Sequence, residues 1–127
     1  MGDAPRILVV DDEPIVGKRL TQALEKKGYT VEVALSGREA VEKIVPGAFD
    51  AIVTDIRMDD MDGIEVLAHT QQHAPTTPVI IITGYATIEL AREALARGAF
   101  DFIAKPFKPN TLIEVLRRAI SEREMQS

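Results

Sequence analysis

Five short apolar runs punctuate the chain: RILVV at 6–10, TVEVA at 30–34, DAIVT at 50–54, PVIII at 78–82 and DFIA at 101–104. Inside them ILVV, AIV and VIII are unbroken rather than alternating, the pattern of strands covered on both faces. A segment of helical period follows each run. Ile15, Val16, Leu20, Ala23 and Leu24 recur at helical spacing after the first, and Gly28 then offers a left-handed stop. Ser36 or Gly37 opens the second helix, which carries Ala40, Val41 and Ile44 inward and ends at Pro46-Gly47. Asp62, with Glu65 three residues on, reads as the N-cap of the third, which stops before Pro75 and Pro78. The fourth carries Ile88, Ala91 and Leu95, with Gly98 behind it. The last sets Leu112, Val115, Leu116, Ala119 and Ile120 on one face and then dissolves into the polar SEREMQS, residues 121–127, a tail or the start of a linker.

Strict alternation of strand and helix predicts right-handed crossovers and an α/β fold, a doubly wound five-stranded parallel sheet with helices on both faces. The 127 residues suit a single domain spanning 1–127. Without cysteine the chain has neither disulfides nor thiolate metal sites. The apolar runs fall far short of the roughly 20 residues of a membrane span, and MGDAPR lacks the layout of a signal peptide, so a soluble, cytoplasmic protein is expected. A net charge of −5, with basic residues gathered in nothing larger than pairs such as Arg117 and Arg118, argues against direct nucleic-acid binding.

Ligands of open α/β sheets bind at the carboxyl ends of the strands. Those ends deliver Asp11 and Asp12 after the first run, Asp55 one residue past Thr54, Thr83 after the fourth run and Lys105 after the fifth. The second strand, placed at an edge, delivers only Leu35 and Ser36. Three carboxylates against one lysine leave two negative charges, which a hard divalent cation with oxygen ligands would balance. Mg²⁺ fits, because it takes one or two carboxylates plus waters and leaves positions for phosphate oxygens. A carboxylate beside such an ion, with an amine and a hydroxyl near it, is suited to attack phosphorus. Asp55 is the candidate nucleophile, standing alone on its strand, while Asp11 and Asp12 hold the ion.

The segments ILVVDDEP, DAIVTDIRM, DMDGIEVL, PVIIITGYAT and GAFDFIAKPF, in that order, resemble the receiver domain of two-component response regulators over nearly the whole chain. The resemblance is to receivers of the nitrogen-regulator type that precede ATPase domains. It implies a flavodoxin-like strand order 2-1-3-4-5, Asp55 as phosphoacceptor, and a magnesium site of Asp11, Asp12, Asp55 and the Arg57 backbone carbonyl. It further implies Thr83 as switch hydroxyl, Phe102 as switch aromatic, Lys105 as the phosphoryl-binding amine, and a cis Lys105–Pro106 peptide. Arg57, Gly84 and Tyr85 fall where such domains tune the lifetime of the phosphoryl group. Expected partners are a sensor histidine kinase, an output domain or downstream protein, and a second copy through the face of the fourth helix, fifth strand and fifth helix, near Ile88 and Leu95. One departure stands out: Asp59 occupies a position where receivers usually have proline, and with Asp60 and Asp62 it makes the loop acidic.

Each of these residues, taken alone, has a blander or a rival reading. Asp11, Asp12 and Glu13 alone would be a helix cap, Thr83-Gly84 a strand exit, Lys105 a solvated lysine and Phe102 a core residue. His69 and His73, at i and i+4, lack a third ligand and read as a wet helix face. The MDDMDG run fails the calcium-loop register, since with Gly63 at the glycine position the twelfth residue is His69. No glycine-rich turn follows the first strand, which removes the P-loop and the dinucleotide fingerprint. A haloacid-dehalogenase-type phosphatase would need aspartate where Glu13 stands. A hydrolase of small phosphoesters would show steady turnover, and a phosphorylation-independent binding module would tolerate Asp55→Asn.

Overall fold

The computed structural model describes residues 4–126. Five strands, β1 (Arg6–Val10), β2 (Thr30–Ala34), β3 (Ala51–Asp55), β4 (Val79–Thr83) and β5 (Asp101–Ala104), alternate with α1 (Pro14–Glu25), α2 (Gly37–Lys43), α3 (Gly63–His73), α4 (Ile88–Ala96) and α5 (Pro109–Gln126). All neighbours pair in parallel, in the order β2-β1-β3-β4-β5. The third and fourth strands lie one residue later than the apolar runs suggest, so Asp55 and Thr83 are the last residues of their strands.

Because side chains alternate across a sheet, one strand feeds two cores. Leu8 and Val10 of β1 pack with Ala40, Ile44, Val66, Leu67 and Ala94, while Ile7 and Val9 pack with Leu20, Leu24, Leu112, Leu116 and Ala119. Every residue of β3 and β4 is buried, which explains their unbroken apolar spelling. The chain winds outward from β1 to β2 and then crosses back to β3, so the strand order reverses between β1 and β3. That reversal opens the crevice in which a ligand can sit.

The helices differ in how firmly they are seated. α5 buries Leu112, Val115, Leu116, Ala119 and Ile120, the whole expected stripe. α1 buries Gly17, Leu20 and Leu24 but leaves Ile15 55% exposed, because Ile15 lies in the opening turn, beyond the edge of the buried face. α4 buries Ala94 alone, and Ile88 and Leu95 face solvent. The expected dissolution after Ile120 does not occur: α5 continues to Gln126. Arg123 holds the extension down, its Nη1 2.9 Å from Asp50 Oδ1 and 3.4 Å from the Phe49 carbonyl. Among the described residues, no helix is long and apolar enough to cross a membrane.

Candidate functional site

The carboxyl ends of β1, β3, β4 and β5 bring Asp11, Asp55, Thr83 and Lys105 together. Lys105 Nζ lies 2.9 Å from Asp11 Oδ2 and 2.9 Å from Asp55 Oδ2, bridging the strands on either side of the reversal. Its backbone is fixed as well, since Lys105 N donates to the Thr83 carbonyl at 2.8 Å and the Lys105–Pro106 peptide is cis. Asp11 is fully buried, and its Oδ1 accepts from Glu13 N at 2.9 Å. This contact turns the chain into α1, where Pro14 occupies the first turn and needs no N–H partner.

Asp55 uses its two oxygens differently. Oδ1 accepts from Ile56 N at 2.6 Å and Arg57 N at 3.2 Å, while Oδ2 accepts from Lys105 Nζ, its one hydrogen-bond partner among the described residues. Asp12, half-buried, completes a trio with Asp11 and Asp55 in which one oxygen of each lies within 4.8 Å of the others. Burial pushes the Asp11 carboxyl above its ordinary value, and the hydrogen bonds from Lys105 and Glu13 offset this only in part. For Lys105 burial pulls downward, but the hydrogen bonds to Asp55 and Asp11 together outweigh it and hold the ammonium above its ordinary value. The first shift is the cost of burying a carboxylate, and the second reflects the two carboxylates that grip the ammonium. An all-oxygen, carboxylate-rich donor set of this kind suits a hard divalent cation.

Thr83 is fully buried, and its Oγ1 accepts from Tyr85 N at 3.0 Å. Phe102, three residues before the lysine, is half-buried against the cluster that includes Ala94 and Ala99. The Arg57 guanidinium stacks over the Tyr85 ring, 4.1 Å from its centroid. Arg57, Gly84 and Tyr85 border an open cavity of about 610 Å³ with the first turns of α4. Gly84 needs no unusual backbone angle, and a Cβ there would meet nothing within 4 Å.

Sequence reasoning missed the residues that shape the β3–α3 loop. A Cβ on Gly63 would fall 2.4 Å from the Asp55 carbonyl oxygen, so only glycine lets α3 start this close to β3. Gly63 N also donates to the Ile56 carbonyl at 2.8 Å. Asp62 does cap α3, accepting from Glu65 N at 2.9 Å. Asp60 points the other way, taking Gly37 N at 3.0 Å and Arg38 N at 2.9 Å at the start of α2. Its partners lie more than 20 residues back, so no local spelling announces them.

His69 and His73 stack with ring centroids 4.2 Å apart on α3 and take no part in this cluster.

Comparison with known proteins gives a consistent family. The model described as "Response regulator receiver domain" matches residues 7–117. Regulatory protein AtoC of Escherichia coli (strain K12) is 40% identical over 121 residues, covering 95% of this chain and 26% of AtoC. The C4-dicarboxylate transport transcriptional regulatory protein DctD of Rhizobium meliloti (strain 1021) is 35% identical, covering 98% of this chain and 27% of DctD. The chain thus spans about a quarter of the length of these relatives. Among solved structures, a CheY-like receiver domain protein from Methanospirillum hungatei JF-1 superposes with a TM-score of 0.93 at 34% identity, covering 98% of this chain and 100% of that one. The beryllofluoride-activated NtrC4 receiver domain dimer gives 0.88 at 36% identity, covering 93% and 98%.

Proposed function

The chain belongs to the response regulator receiver family of two-component signalling, and from that premise we propose that Asp55 is its phosphoacceptor. The observation that carries the assignment is the Lys105 bridge between Asp55 and Asp11 at the strand-order reversal. The donor is a phosphohistidine of a sensor kinase. An Asp55 oxygen attacks phosphorus, a new P–O bond forms as the P–N bond breaks, and the electron pair leaves with the imidazole. Oδ2 is the oxygen suited to this, because Oδ1 is held by two backbone N–H groups and Oδ2 by one flexible side chain. The domain modifies itself once per signal and does not turn over a metabolite.

Asp11, Asp12, Asp55 and the Arg57 carbonyl would hold Mg²⁺, which supplies neutralisation of the phosphoryl oxygens. Lys105, already charged and in place, exchanges an Asp55 oxygen for a phosphoryl oxygen. Thr83 releases Tyr85 N and turns its hydroxyl to another. The space it leaves admits Phe102, which is only half-buried, and the flank of α4, β5 and α5 then has two arrangements. Arg57 and Tyr85, stacked on each other beside the open Gly84, set how readily water reaches the acyl phosphate. The exposed Ile88 and Leu95 mark the flank where a second copy or an output domain would sit, a reading supported by the dimeric state of the NtrC4 receiver domain.

Intact-mass spectrometry after incubation with acetyl phosphate tests the assignment. One Mg²⁺-dependent phosphoryl adduct is expected on the wild type and none on Asp55→Asn or in the presence of a chelator. A folded wild type that stays unmodified by both acetyl phosphate and phosphorylated kinases would overturn it.

A further inference from the structure

The β3–α3 loop carries three pieces of the site: the Ile56 and Arg57 N–H groups that hold Asp55, and the Arg57 carbonyl. Gly63 fixes the far end of the loop through the Ile56 carbonyl. Between these points the chain is exposed at Arg57, Asp59, Asp60 and Asp62. Its middle is tied to a different element, because the Asp60 carboxylate straddles the Gly37 and Arg38 N–H groups in the first turn of α2. Met61 packs on the same turn, so closely that a Cβ on Gly37 would lie 2.6 Å from Met61 Cβ. Ser36 Oγ takes the next donor, Glu39 N, at 3.0 Å. Two side chains therefore share the helix cap, and one of them comes from the loop that shapes the site.

We propose that Asp60 is a positioning residue of the phosphoacceptor site: by anchoring the β3–α3 loop to the start of α2, it holds the loop backbone in the arrangement that Asp55 and a bound Mg²⁺ require. The inference rests on the reading of Asp55 given above. Asp60 touches neither Asp55 nor Lys105, and it acts through the backbone it restrains. The other cap, Ser36, provides the contrast, since it satisfies the same helix without reaching the loop.

The test compares Asp60→Ala and Asp60→Asn with Ser36→Ala in the intact chain. It reads the Mg²⁺ dissociation constant by titration and the hydrogen exchange of the Ile56 and Arg57 amides by NMR. Both alanine variants lose a cap of α2. Only Asp60→Ala should weaken Mg²⁺ binding, by about 10-fold, the low end of what losing an outer support of a metal site costs. It should also speed exchange at Ile56 and Arg57, with Asp60→Asn, which keeps one acceptor oxygen, in between. Equal Mg²⁺ affinity in Asp60→Ala and Ser36→Ala would overturn the proposal and leave Asp60 a helix cap. A wild type that binds no Mg²⁺ and accepts no phosphoryl group would sink the functional reading instead. Amide exchange alone then decides the tether: faster in Asp60→Ala than in Ser36→Ala supports it, and equal rates refute it.

Discussion

Gly63 stands so close to Asp55 that a single added carbon on it would fall 2.4 Å from the Asp55 carbonyl oxygen and 2.9 Å from Ile56 Cα. Both obstacles are backbone, so neither can swing aside. Gly63→Ala should therefore destabilise the domain by about 1–3 kcal/mol or more, as overpacking does, and displace the end of β3. Gly84→Ala, one residue past Thr83 and free of neighbours, should change stability by less than about 0.5 kcal/mol. Urea unfolding of the two variants checks the contrast.

Among the described residues, Lys105 is the one cation joining Asp11 to Asp55, and its side chain is only 19% exposed. Lys105→Met should leave two carboxylates facing each other and cost about 1–3 kcal/mol in metal-free buffer. Added Mg²⁺ should return part of that loss, since an ion that binds only the folded state stabilises it. Unfolding curves with chelator and with Mg²⁺ measure both. Equal destabilisation under the two conditions would contradict a cation site at these carboxylates.

The Asp60 carboxylate is held below its ordinary value of 3.8, first by the Arg38 N–H and then by the Gly37 N–H. A depressed carboxylate contributes stability that is fully present above its unfolded value and lost as pH falls through the folded one. The stability gap between wild type and Asp60→Asn should thus be constant above pH 3.8 and close below it. Denaturant melts across the acid range follow the gap directly.

Arg123 should matter locally. Its bonds to Asp50 and the Phe49 carbonyl are half-screened by water, so Arg123→Ala is expected to cost about 1 kcal/mol or less. The loss should appear as faster amide exchange in the last turn of α5, with the exchange of Leu112 and Leu116 unchanged.

What the sequence disclosed and what it hid divide along a physical line. The unbroken run VIII and the stripe from Leu112 to Ile120 announced β4 and α5, because burial on two faces or one leaves a periodic trace. Asp11, Asp55, Thr83 and Lys105 could be collected because each sits at the end of such a run. Arg123 could not be placed, because a polar stretch reads as a tail until its partner at Asp50 is known, and that partner lies 73 residues away. Ile88 and Leu95 followed helical spacing yet face solvent, since Ala94 brings α4 close to the sheet and fixes which side turns inward. The role of Asp60 was hidden for the reason that hid Arg123: the α2 turn it caps is distant in sequence.

α4 buries one of its nine residues, whereas every residue of β3 is enclosed. In mechanical terms the domain is stiff along the strand that carries Asp55 and compliant in the helix that begins five residues past Thr83. Little apolar surface is exposed when such a helix shifts, so its displacement needs a small fraction of the work that moving α5 would take. A load applied at the carboxyl end of β3 should therefore leave that strand undeformed and be taken up as movement at α4.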